Sequence, residues 1–171
     1  MKTTVNEQGK LTNMTDAAEQ GAYAVVDLGS FDNNRNQLQA VNDRGQAAGV
    51  SLNASSGRIE AFVEERGQRT ALGTLGGSFS IARGINNRGE VVGGSLTEGD
   101  QSFHGFLYSE NRLYDLNSLL EAGTEWELIQ AFAINNRGEI LGIGSQNGED
   151  RIVLLRPKAC DIGLSSKVLR A

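Results

Sequence analysis

The chain has one cysteine, one histidine and one tryptophan in 171 residues, and what is scarce or absent narrows what it can be. Cys160 has no second thiol with which to form an internal disulfide or share a structural zinc ion, so neither an oxidised scaffold nor a zinc fold is expected. A formal charge of −5 and a pI near 4.9 leave little of the clustered positive charge that displaces counterions from a phosphate backbone, which argues against a nucleic-acid partner. No apolar run approaches the length of a membrane span. The opening "MKTTVNEQGKLTNMTDAAEQG" is broken by Asn, Gln, Glu and Asp where a signal peptide needs an apolar core. A cytoplasmic chain without a membrane partner is therefore expected. No Ser/His/Asp or Cys/His signature occurs. "GTLGGS" at 73–78 lacks the lysine of a phosphate loop, and neither Asp32-Asn33-Asn34 nor Gly148-Glu149-Asp150 has the spacing of a full calcium loop. No metal or other cofactor is expected.

What is present is repetition. "AVNDRGQAAGVS" at 40–51 returns as "GINNRGEVVGGS" at 84–95 and as "AINNRGEILGIGS" at 133–145. Other landmarks keep step: Ala61-Phe62-Val63, Gly105-Phe106-Leu107 and Ile152-Val153-Leu154 form one set, and Asp27-Leu28, Ala71-Leu72 and Asp115-Leu116 another. Periods of this length with several short strands apiece mark propeller blades and related radial β-repeats. Each repeat has four short apolar segments, a to d, which in the first repeat are 23–28, 37–42, 46–52 and 59–65. The Asn-Asp-Arg-Gly or Asn-Asn-Arg-Gly between b and c suits a hairpin, with Gly45, Gly89 and Gly138 free to take positive φ. Arg66-Gly67 makes the next tight connection, so each sheet should read b-c-d-a.

The expected fold is all-β: three four-stranded antiparallel repeats, about 23–66, 67–110 and 111–157, in a pseudo-threefold, propeller-like arrangement. Pairing of the first strand, 23–28, with the last, 151–155, would close it and remove two exposed edges. Residues 1–22 form a polar leader and 158–171 a tail. Three units fall short of the four to eight blades of ordinary propellers. Either a compact monomer with a filled centre or a homodimeric six-bladed ring satisfies the geometry, the monomer being the expected form.

"ALGTLGGSFSIARGINNRGEVVGGS", the following "HGFLY", the opening "YAVVDLGS" and "DLNSLLEAGTEWELIQAFAINNRGEILGIGS" resemble the bacterial HAF repeat family of extracellular, β-propeller-like repeat proteins. The resemblance spans residues 23–157. It implies the repeat architecture and export, and no catalytic residues. The chain departs from the family at Asp32-Asn33-Asn34-Arg35, where a Gly-Gly-Ser stretch is usual.

Comparison of the repeats with one another locates candidate sites. The b–c and d–a turns are nearly uniform. The opposite end, with loops Asn53 to Arg58, Thr97 to Phe103 and Gln146 to Asp150 and crossovers at Asp32 to Arg35, Ser78 to Phe79 and Glu121 to Trp126, differs in every repeat. Divergence at one end of a regular scaffold suits a binding surface carried on loops. The expected function is therefore a module that binds a small molecule, glycan or peptide there. The alternative is a cofactor-independent cyclase, isomerase or lyase, with His104 as its catalytic group because it is the one side chain at this end that titrates near neutral pH. Expected ligand contacts are Trp126, Phe79, Phe103, Tyr108, Asp32, Arg35, Glu121 and Glu125. Against these stand plainer roles: His104 filling a recurring polar position, Trp126 as a core plug, and Arg44, Arg88 and Arg137 as solvated turn residues instead of an anion site.

Overall fold

The computed structural model describes Val25 and residues 37–158. Their fold is all-β. The strands are β1 Gln37–Val41, β2 Ala47–Leu52, β3 Ile59–Glu65, β4 Gln68–Gly73, β5 Gly76–Ile85, β6 Val91–Thr97, β7 Phe103–Ser109, β8 Arg112–Asp115, β9 Trp126–Ile134, β10 Ile140–Gln146 and β11 Glu149–Leu155. The helical segments among the described residues are two 3-10 turns, Glu98–Asp100 and Leu116–Leu119.

Hydrogen bonding divides the strands into sheets of eight and three. In the larger, β1-β2-β3-β4 and β5-β6-β7-β8 are each antiparallel, and one parallel bridge between Ile59 and Phe79 joins them. The smaller reads β9-β10-β11. The described strands form no closed barrel or propeller. Val25, the one described residue of the expected closing strand 23–28, lies outside any strand and is 96% exposed; the rest of that segment, with Asp32, Arg35 and Cys160, lies outside the described residues. A second departure from expectation concerns Ser78 and Phe79, which belong to β5 and not to a crossover loop. Polar anchors hold the strand out to that point: Asp100 accepts from the Ser78 N–H and hydroxyl, each at 2.7 Å, and the buried Ser95 hydroxyl donates to the Phe79 carbonyl at 3.2 Å.

The three hairpins fold for a local reason. In each, the Asn Oδ1 accepts from two backbone N–H groups ahead of it: Asn42 from Arg44 and Gln46, Asn86 from Arg88 and Glu90, Asn135 from Arg137 and Glu139. This Asx closure turns the chain. Gly45, Gly89 and Gly138 follow at φ near +75° to +81°, where a Cβ would meet the carbonyl oxygen.

The hairpins also bind one another. The Asn42 side-chain amide donates to the Asn86 carbonyl at 2.8 Å and the Asn86 amide to the Asn135 carbonyl at 3.1 Å. The Asp43 N–H donates to Asn87 Oδ1 and the Asn87 N–H to Asn136 Oδ1, at 3.0 and 2.8 Å. This ladder places β1, β5 and β9 side by side. Apolar residues fill the gaps between the groups. Ala48, Ala61 and Leu72 pack with Ala82, Ile85, Val91 and Phe106 in one cluster; Val92 and Leu116 pack with Leu128, Ala131 and Ile140 in the other. Full burial of a side chain such as Phe106 contributes about 1.5–3 kcal/mol. The approach is close enough to demand glycine, since a Cβ on Gly84 would lie 2.9 Å from Ala133 Cα.

Candidate functional site

The expected site residues fall into four places. Phe79 on β5 and Phe103 on β7 form a tilted ring pair with centroids 6.2 Å apart, and Phe103 covers Gly94, whose Cβ would lie 2.3 Å from the ring. Here the phenyl groups are packing material for the β5-β6-β7 surface.

His104 begins on the same strand but reaches between sheets. Its Nδ1 lies 2.7 Å from Asp115 Oδ2 at the end of β8, and its Nε2 lies 3.3 Å from Glu127 Oε1 on β9. Asp115 also caps the 3-10 turn through the Asn117 N–H, and Asn117 accepts the Leu128 N–H at 2.6 Å while donating to the Leu128 carbonyl. The imidazole is thus a tie between the eight-stranded and three-stranded sheets. Asp115 and Glu127 were not among the expected residues, although Asp115 stands in the recurring Asp-Leu landmark.

Trp126 and Glu121 come together. They border a cleft of about 400 Å³ with Leu120, Thr124, Leu128 and the β11 segment 151–155. Apolar walls dominate it: Trp126 lies over Gly144, whose Cβ would be 3.1 Å from the indole, and Val153 and Leu155 continue from the core beneath. The cleft runs along β11, an edge strand that pairs β10 and, on its other edge, no described strand. Glu121 pairs with Lys158 at the rim. Glu125 is exposed next to Trp126 but is not part of the lining. The extra residues that lengthen the spacing from 44 between the first and second hairpins to 49 between the second and third supply this wall, and the side chains of β11 that complete it carry no distinguishing motif.

Tyr108 lies elsewhere. It borders a wider, more polar cleft of about 710 Å³ at the hairpin end, with Arg44, Glu65, Arg88 and Glu90. Its hydroxyl donates to Asn111 Oδ1 at 3.3 Å, and burial raises its pKa above the ordinary value. The arginines here are occupied. Arg44 and Arg88 each donate to a backbone carbonyl of the following hairpin, Asn87 and Asn136, and Arg88 and Arg137 pair with Glu90 and Glu139.

No protein family, no curated protein and no solved structure matches this chain. Among the described residues, no helix is long and apolar enough to cross a membrane. The geometry of the Trp126 cleft therefore carries the functional reading.

Proposed function

We propose that the three strand groups are successive units of one propeller-like repeat of the HAF kind, and that the protein is a binding module taking an extended, apolar peptide in the Trp126 cleft. The observation that supports this is an apolar trough lined by β11, a strand whose second edge no described strand pairs. An extended chain laid along that edge would pair with its backbone N–H and C=O groups as an added strand, while alternate side chains enter the trough against Trp126, Leu120 and Leu128. The trough starts at Glu121 and Trp126, in the stretch where the repeats diverge, and runs along β11, whereas the hairpin turns are spent on holding the units together. Cyclase, isomerase or lyase chemistry has less support, because His104 is taken up by Asp115 and Glu127 and borders neither cleft.

Trp126 is the chain's one tryptophan, so its fluorescence reports on the cleft directly. Titration with a hexapeptide of alternating valine and threonine should give a saturable blue shift. The same peptide N-methylated at alternate amides, which cannot pair with a strand, should give none. A non-saturable response, or equal responses to both peptides, would refute the reading.

A further inference from the structure

The two ends of the array carry the two halves of a contact that the molecule already makes twice inside itself. The cross-strand pair Ala48–Val63 of β2 and β3 packs into the first core cluster. Its counterpart Val92–Leu107 of β6 and β7 packs into the second. The third counterpart, Leu141–Leu154 of β10 and β11, has the same register, yet its side chains are 43% and 50% exposed. At the other end, Val41 holds the position that Ile85 and Ile134 fill inside those clusters, yet it is 69% exposed. The ladder of hairpins is open in the same sense. All three amides donate to the side chain four residues ahead, but the buried Asn42 and Asn86 also donate to the next hairpin, whereas Asn135 is exposed and, among the described residues, its amide reaches no further hairpin. Among the described residues, no hydrogen bond joins the third hairpin to the first and the three units do not close on themselves.

We propose that the missing partner is a second copy of this chain: the outer face of the β9-β10-β11 sheet receives the β1 face of its partner and the reverse, giving a two-fold ring of six units. The contact would continue the internal one, with an aliphatic pair on one side, an isoleucine or valine on the other, and the Asn135 amide within the ladder. It is a head-to-tail contact, which closes into a ring when the rotation per unit allows it. Six units lie within the range of closed propellers and three do not. The proposal rests on the repeat reading above.

The test uses the full chain in sedimentation equilibrium. The wild type is expected at twice its monomer mass. Val41→Lys and Leu141→Glu, each at an exposed position, should both give folded monomers by circular dichroism. Mixed together they should reassociate as a heterodimer, because one interface then pairs Lys with Glu and the other is wild type. A folded wild-type monomer at all concentrations overturns the proposal, as do an open series of larger species or a dimer indifferent to Val41→Lys. Failure of the repeat reading itself is separable. It predicts that Gly84→Val, at the internal contact with Ala133, abolishes folding whatever the oligomeric state, and a stable Gly84→Val protein would overturn both.

Discussion

Asn42 and Asn86 stand 44 residues apart in the chain and are joined by a 2.8 Å hydrogen bond from the side-chain amide of the first to the backbone carbonyl of the second. Both belong to hairpin turns of nearly the same sequence, and both are buried. The bond makes each turn part of its neighbour's structure as well as its own.

Asn86 therefore has more to lose than Asn135. Asn86→Ala removes two Asx bonds, the amide bond to Glu90 and the ladder bond to Asn135, and leaves part-buried groups unpaired, for an expected loss of about 2–4 kcal/mol. Asn135→Ala removes the same local bonds at an exposed turn and should cost about 1–2 kcal/mol. Urea denaturation of the two variants checks the order. Equal losses would mean that the ladder bond contributes nothing.

Two glycines should respond differently to alanine. Gly89 has φ +81° and a Cβ there would make only ordinary contact with the Gln46 side chain, at 3.5 Å, so Gly89→Ala meets chiefly backbone strain of about 1–2 kcal/mol. Gly93 has ordinary φ, but its Cβ would lie 1.9 Å from the Ile81 carbonyl oxygen on the paired strand, and Gly93→Ala should cost about 3 kcal/mol. Melting temperatures of the two variants should rank accordingly, with Gly93→Ala the lower.

Asp100 should make the β5 anchor sensitive to acid. Hydrogen bonds from the Ser78 hydroxyl and N–H hold its carboxyl below the ordinary value. A carboxylate whose pKa is depressed by folding contributes stability above its unfolded value, and that contribution disappears as pH falls through the folded one. The wild type should therefore exceed Asp100→Asn in stability at neutral pH, and the two should converge as pH drops below the carboxylate range. A difference independent of pH would place the effect in packing instead.

His104→Ala should loosen one sheet from the other. Losing the contacts to Asp115 and Glu127 is expected to cost about 1–2 kcal/mol, and amide hydrogen exchange should quicken in β9 while β2 is unaffected. Uniform quickening would show that the tie is not local.

Much of the fold was legible because its turns carry their own instructions. Asn-x-Arg-Gly specifies Asx closure followed by a positive-φ glycine, and the strand pairings around it followed from the spacing. The extent of β5 was not legible, because Ser78 and Phe79 are held in the strand by Asp100 and Ser95, partners 22 and 16 residues away. Of the candidate contacts, Trp126 and Glu121 meet in one cleft because Glu121 sits in the short connection 120–125, which leads to Trp126, the first residue of β9. Tyr108 does not join Phe103, five residues earlier on the same strand: β7 runs from one end of the molecule to the other, and a shared strand puts them at opposite ends.

The direction of the ladder also bears on how the chain emerges during synthesis. The amides of the first two hairpins reach forward, to a carbonyl 44 or 49 residues later in the chain, so each of these hairpins, once it has left the ribosome, waits roughly 2–10 s for its acceptor at ordinary elongation rates. The first hairpin can close locally through its own Asx bonds while its outward amide stays in water. Only when the next unit arrives does that amide become buried, which ties the completion of the first two units to the translation of the one behind each.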